Sequence, residues 1–435
     1  MKRVLAALLS ILLIFALGAC SGLGDLDLPA MPSIEPAVGF GENAAEQPGG
    51  AEDDAPVPAD VTDPAVEPVE LGPQVMVNID NHTEYYYAPD NDQQRILTFG
   101  YDSVNVHVEG NETASEAINH ALAVEEELFY SGTGTGDGIN AMLEQAIDNY
   151  TIARQTGEDI NLELSSMRTV AAARADSRVL SLVYLTHSYT GGAHGYYFKR
   201  AWVYNTQTGD AMSLRSLAAD YDAFSAYLVD QMLQQAQQEN SGVDLVEGDE
   251  LSTKLIALLR DGSWYFDENG LVIFSDVYEI SSYASGIVYF RFPYEELGAY
   301  LDESLFPVGR MGEGSVSVAF TADSGASTLP ILDRVVVYPD GEDLLISVTG
   351  TVYNVEIASV SYIDDDVGFY ETAEHWACSY LNNSAIQLVT VIPEGMPNLM
   401  IRYSTADGVE HKQLISQSGE DGSLILAETT IAAVG

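Results

Sequence analysis

Basic side chains are the scarcest feature of this chain. It has 17 Lys and Arg against 66 Asp and Glu, a formal net charge of −49 over 435 residues. Nucleic-acid phosphates are held by dense Lys and Arg, so nucleic acid is excluded as a partner class. An anionic membrane surface is disfavoured for the same Coulombic reason, whereas a cationic protein or peptide is drawn inward. An extracellular or saline habitat accounts for the acidity equally well. Cysteine is almost absent: only Cys20 and Cys378 occur, which removes disulfide frameworks and cysteine-based zinc sites. Gly-x-Ser-x-Gly, His-Glu-x-x-His and His-x-x-x-His are all missing, and with them the hydrolase and metalloprotease signatures. No catalytic residue, metal or cofactor is therefore expected.

What is present starts at the N-terminus. Met1-Lys2-Arg3 is basic, Val4 to Leu17 is almost wholly apolar, and Leu17-Gly18-Ala19-Cys20 puts small residues before a cysteine. The apolar run is shorter than the roughly 20 residues of a membrane-spanning helix but fits a signal core. The pattern is that of a bacterial lipoprotein. Residues 1–19 are expected to be a signal peptide and Cys20 the lipidated residue, which places the rest on the extracytoplasmic face of the cell membrane. Residues 20–72 read as a disordered acidic tether: 21–72 contain eight prolines and no Lys or Arg. Such a composition cannot build a core and repels itself into extended shapes.

Order is expected from about Gln74. Val75–Ile79 and Val104–Val108 alternate as half-buried strands. Thr113–Phe129 and Ile139–Ala153 have helical spacing, and the glycine-rich segment between them lacks the Gly-Lys-Ser/Thr ending of a phosphate loop. Asn161–Arg174, Val179–Tyr189 and Tyr196–Asn205 read as strands. Asp222–Glu239 and Ser252–Arg260 read as helices. Trp264–Phe274 reads as strand, turn, strand; Ile287–Phe292 is a strand and Pro293–Leu301 a short closing helix. After Gly314 the pattern is seven short strands: Val316–Phe320, Val335–Tyr338, Leu344–Val348, Thr351–Ser361, Ala385–Ile392, Leu399–Ser404 and Leu424–Thr430. The expected fold class is an α+β module at 73–306, an antiparallel sheet with packed helices, followed by an all-β sandwich-like module at 315–435.

Two motifs stand out. In Thr190-Gly191-Gly192-Ala193-His194-Gly195 the glycines permit positive φ and close backbone approach. His194 would serve as ligand, base or anchor, or else simply fix a tight connection between two strands, with His187 on the preceding strand a possible partner. Tyr278-Glu279-Ile280-Ser281-Ser282-Tyr283-Ala284-Ser285-Gly286 offers Tyr278 and Tyr283 either as a gripping surface or as packing for a sheet edge. Gly191, Gly192, His194, Tyr278 and Tyr283 are thus the ligand-binding candidates. Weaker features are the Tyr85-Tyr86-Tyr87 and Tyr196-Tyr197 runs, an acidic turn at Asp364-Asp365-Asp366, and His375-Trp376-Ala377-Cys378, whose cysteine reads as a small buried thiol.

Taken together, residues 187–297 resemble a known family pattern. Tyr189 to Gly195, Tyr204 to Leu214, Phe266 to Phe274, Val277 to Gly286 and Phe292-Pro293-Tyr294-Glu295-Glu296-Leu297 follow the order of the DUF4163/DUF3298 pair. That pair is the extracytoplasmic region of lysozyme-sensing anti-sigma factors and the accessory region of some peptidoglycan deacetylases. Residues 73–186 would be its DUF4163-like half and 187–306 its DUF3298-like half. The resemblance implies an α+β extracellular module without an active site, similar to a receptor for the cationic protein lysozyme. This chain departs from the pattern in having Ser281-Ser282 where the family has Ala-Pro, and it is expected to lack both a deacetylase domain and a sigma-binding segment before the anchor. The expected function is a lipid-anchored extracellular binding protein for an envelope-associated ligand, a lysozyme-type protein or peptidoglycan. Alternatives are a cell-wall-polymer hydrolase built on His194, and an envelope assembly protein.

Overall fold

The computed structural model describes residues 71–132, 138–157, 163–237, 245–246, 248–322, 329–362, 368–393 and 396–430. The signal segment, Cys20, nearly all of 20–72 and the Asp364–Asp366 turn lie outside them. No described helix is long and apolar enough to cross a membrane.

Strands β1 (Val75–Ala88) and β2 (Asn91–Val108) form an antiparallel hairpin. It runs well past Ile79, because Tyr85, Tyr86 and Tyr87 continue the strand. Helix α1 (Glu112–Ser131) starts where the Asn111 side chain accepts from the Ala114 N–H at 3.2 Å, a capping bond that satisfies a free helix donor. Helix α2 (Ile139–Thr156) buries Met142, Ala146 and Tyr150, one face at four-residue spacing. Together the helices form the crossover that lets β3 (Leu164–Ala175) lie parallel to β2 over Leu97–Tyr101. They pack on Leu97 and Phe99 on one face of the sheet.

Strands β4 (Val179–Tyr189) and β5 (Tyr196–Asn205) continue the sheet antiparallel, with the ends expected from the sequence. The other face is covered by α3 (Tyr221–Ala236), α4 (Gly248–Leu258) and a small sheet of β6 (Trp264–Phe266), β7 (Gly270–Ser275) and β8 (Val288–Pro293). Helix α5 (Tyr294–Leu297) closes this part. Its core is rich in aromatics: Phe224, Trp264, Phe266, Phe274, Phe290 and Phe292.

Among the described residues the C-terminal part contains eight strands, not seven: β9 (Gly314–Phe320), β10 (Ile331–Val336), β11 (Glu342–Tyr362), β12 (Phe369–Asn382), β13 (Ala385–Thr390), β14 (Leu399–Ser404), β15 (Glu410–Gln417) and β16 (Leu424–Glu428). Two segments that read as separate strands are halves of β11. Its first half pairs with β9 and β13 and its second with β12 and β14. Gly350 lies between the halves with φ 77, and a Cβ there would strike the Glu313 carbonyl, so glycine is required. Val348, Val352, Ile357 and Trp376 from both halves and from β12 share one core. β12 carries no period-two signal because Glu374 to Ser379 are buried on both faces, which erases the alternation. β15 is mostly polar.

The two parts are joined through the backbone. β12 pairs with β1, with Met76 opposite Cys378 and Val77 opposite Ala377. The hydrogen-bonded order β16-β15-β14-β11-β12-β1-β2-β3-β4-β5 therefore runs through both parts. Pairing between β2 and β3 ends at Tyr101 and Arg168. Beyond it the β3 donors turn to carboxylates: Val170 N–H donates to Asp102 Oδ2 at 2.9 Å and Ala172 N–H to Glu374 Oε1 at 3.2 Å. Burial pushes Asp102 up to about 6 and raises Glu374 well above the ordinary carboxylate range.

Candidate functional site

The connection from β4 to β5 is six residues long, and Gly191 and Gly192 take φ of 99° and 109°. Those angles belong to glycine, and they fold the loop so that Tyr189 OH donates to the Gly192 carbonyl at 3.0 Å. Gln145 on α2 ties the loop down by donating to the Thr190 carbonyl at 3.2 Å. Gly195 lies against His187, whose Nε2 would be 2.6 Å from a Cβ at that position. His187 thus supports the loop and is not a second arm beside His194. Burial lowers its pKa.

His194 is exposed, and its Nδ1 is 2.8 Å from the Gly195 carbonyl. A carbonyl can only accept, so Nδ1 is the donor in that bond. Its ring centroid is 4.3 Å from that of Tyr283, and Tyr283 OH donates to the same Gly195 carbonyl at 3.0 Å. Tyr278 and Tyr197 flank Tyr283, each with ring centroids 5.5 Å away. All five candidate residues therefore meet in one surface patch, two as backbone hinges and three as adjoining rings. Tyr197, read from the sequence only as part of an aromatic run, is buried behind them.

Tyr278 is the most unusual of them. It is 55% exposed and has φ 65. It is the third residue of a turn closed by Glu279 N–H donating to the Asp276 carbonyl at 3.2 Å, a place usually filled by glycine or asparagine. An ordinary side chain in this region costs about 1 kcal/mol or more. The turn is held by ion pairs beneath it: Arg200 with Asp276 at 2.7 Å and Arg260 with Glu279 at 2.6 Å. Asp276 also accepts from the Lys199 N–H at 2.8 Å, which binds the turn to β5.

Deeper in the same layer the Lys199 ammonium donates to Tyr289 OH at 2.5 Å, and among the described residues no carboxylate pairs with it. Burial lowers its pKa and pushes the Tyr197 phenol up to about 12. A lone lysine among the inward positions of β5 was the available sequence signal for this group. Elsewhere, Cys378 is a free, buried thiol, and His375 bonds Ser359 Oγ at 2.7 Å with its pKa lowered by burial to about 4. Neither adjoins the patch. Among the described residues no group of three or more His, Cys, Asp or Glu is placed to hold a metal ion.

The patch combines exposed and half-buried aromatic rings with backbone fixed by glycines and ion pairs. Residues 217–295, which include Tyr278 and Tyr283, match the family model "Protein of unknown function (DUF3298)". They form a DUF3298 domain. The match starts after the Thr190–Gly195 loop. Among the solved structures that are similar are two of the DUF3298 family. One is a DUF3298 family member from Bacteroides fragilis, 16% identical, with a TM-score of 0.40, covering 52% of this chain and 93% of that one. The other is a DUF3298 family protein from Pseudomonas aeruginosa, 15% identical, with a TM-score of 0.35, covering 53% and 97%. No curated protein matches the chain.

Proposed function

We propose that this protein is a lipid-anchored binding protein of the cell envelope that captures a cationic protein ligand, of the lysozyme type, through the His194–Tyr283–Tyr278 patch. In this reading residues 1–19 are a signal peptide, Cys20 carries the lipid, and 20–72 hold the folded part away from the membrane. Residues 73–186 are the DUF4163-like half of a sensor-like module, and 315–435 are a sandwich-like appendage. The observation that carries the reading is Tyr278, an exposed ring held at φ 65 next to Tyr283. Strain of this kind tends to persist where a surface is used. Tyrosine faces attract cations, and the net charge of −49 steers them inward.

Hydrolysis is the weaker reading: among the described residues no carboxylate hydrogen-bonds His194, whose Nδ1 is engaged by its own loop. The test is a pull-down with the full chain in detergent, offering lysozyme and, separately, peptidoglycan sacculi. Lysozyme should be retained at low salt, released at high salt, and lost with Tyr283→Ala. Retention of sacculi alone would reassign the patch to peptidoglycan, and binding to neither would end both versions.

A further inference from the structure

The Tyr85-Tyr86-Tyr87 run takes no part in that patch. It lies near the tip of the β1–β2 hairpin, where the register shifts between Tyr86 and Tyr87 and again between Tyr87 and Ala88. Bulges of this kind bend a strand and re-aim its side chains. Tyr86 turns inward, donates to Glu84 and packs on the core that contains Phe99. Tyr85 and Tyr87 turn outward and are 52% and 49% exposed. Beside them opens a cleft of about 510 Å³ lined by Tyr87, Asp92, Gln93, Gln94, Arg95 and Glu163. Its size is that of a small-ligand site, about 300–1,000 Å³, but such sites are mostly apolar and this one is not. A ligand here must bring its own hydrogen-bonding groups.

Charge narrows the choice. Arg95 Nε pairs with Glu163 at 2.7 Å, and its guanidinium lies 4.9 Å over the Tyr85 ring. Thr98 OH donates to the same carboxylate. Among the described residues the one cation of the lining is thus already neutralised, and Asp92 adds negative charge, so there a phosphate or uronate meets no free positive group. A neutral pyranose fits better. Its C–H face can lie on Tyr87, and its hydroxyls can bond the carboxylate and amides of Asp92, Gln93 and Gln94. The hairpin tip is fixed before any ligand arrives. Asp90 pairs with Arg154 at 2.9 Å and accepts from Tyr150 OH at 2.6 Å, both on α2. Such preorganisation lowers the ordering cost of binding.

We propose that the cleft at the β1–β2 hairpin tip binds a neutral oligosaccharide, with Tyr87 as the stacking face and Asp92, Gln93 and Gln94 as hydroxyl partners. This site is independent of the His194 patch. The test titrates the full chain in detergent with a glucose tetramer and with an N-acetylglucosamine tetramer, followed by calorimetry. At least one tetramer should bind saturably, and the arm that responds identifies the sugar. Tyr87→Ala should weaken binding tenfold or more, whereas Tyr87→Phe should retain it and Tyr283→Ala should leave it unchanged. Failure of both tetramers to bind, or binding indifferent to Tyr87→Ala, overturns the proposal without touching the lysozyme result.

Discussion

The two parts of the molecule bury themselves by different means. The part before Gly314 packs helices and a small sheet on both faces of β2–β5, with aromatic side chains filling its largest core. The part after it contains strands alone among the described residues, with a mostly aliphatic core around Trp376. Both exposed aromatic surfaces belong to the first part. Bulky rings fill irregular space between unlike layers, and some of them extend to the surface through loops and bulges. Aliphatic side chains suit the regular space between strand groups. Yet β1 and β12 hydrogen-bond as neighbours, so the contrast is of packing style within one connected sheet.

The largest effect should come from breaking that connection. Val77 is fully buried and lies opposite Ala377. Val77→Asp buries an unpaired charge and should cost at least about 4 kcal/mol. Hydrogen exchange should show protection lost in both β4 and β14; loss in the first part alone would mean that the regions fold separately. Next come the two cores. Phe290→Ala and Trp376→Ala should each cost about 3–5 kcal/mol. In calorimetry each should lower a single shared transition. Two transitions, each moved by one substitution only, would break the coupling.

A smaller effect should appear at the polar seam. The folded pKa of Asp102, about 6, lies above its ordinary 3.8. The folded state therefore holds the proton more tightly, and its contribution is complete below about pH 4. As pH rises through 6, up to about 3 kcal/mol of stability should be lost. Asp102→Asn should flatten that part of the stability–pH curve, with Asn81 turning its amide to accept. A curve unchanged by the substitution would place the pH dependence elsewhere, Glu374 being the next group to replace. The smallest effect is at Tyr278. Tyr278→Gly relieves the positive φ and should leave the melting temperature unchanged or raised by about 1 kcal/mol equivalent, while lysozyme retention falls. A clear drop in melting temperature would make Tyr278 a packing residue.

The legible elements were those with local punctuation. β4 and β5 end at the glycine-rich loop, and α1 lies between Asn111 and Gly132, which takes the left-handed conformation. β11 and β12 were not legible in full, since a bend at Gly350 looks like a strand end and two-sided burial leaves no period. The patch was half legible: the loop and the tyrosine segment each stood out, but nothing in the chain said that His194 lies beside Tyr283. For Tyr85 and Tyr87 the residues were plain and the bulges that aim them were not.

By itself the sequence determined the acid excess, the helices, most strands and the motifs, because charge, periodicity and glycine placement act over a few residues. Only the tertiary structure decided that β1 lies beside β12, that Asp102 and Glu374 serve β3, and that two distant motifs share one surface. Those are long-range pairings, chosen by which edges and buried donors remain to be satisfied once the local elements exist.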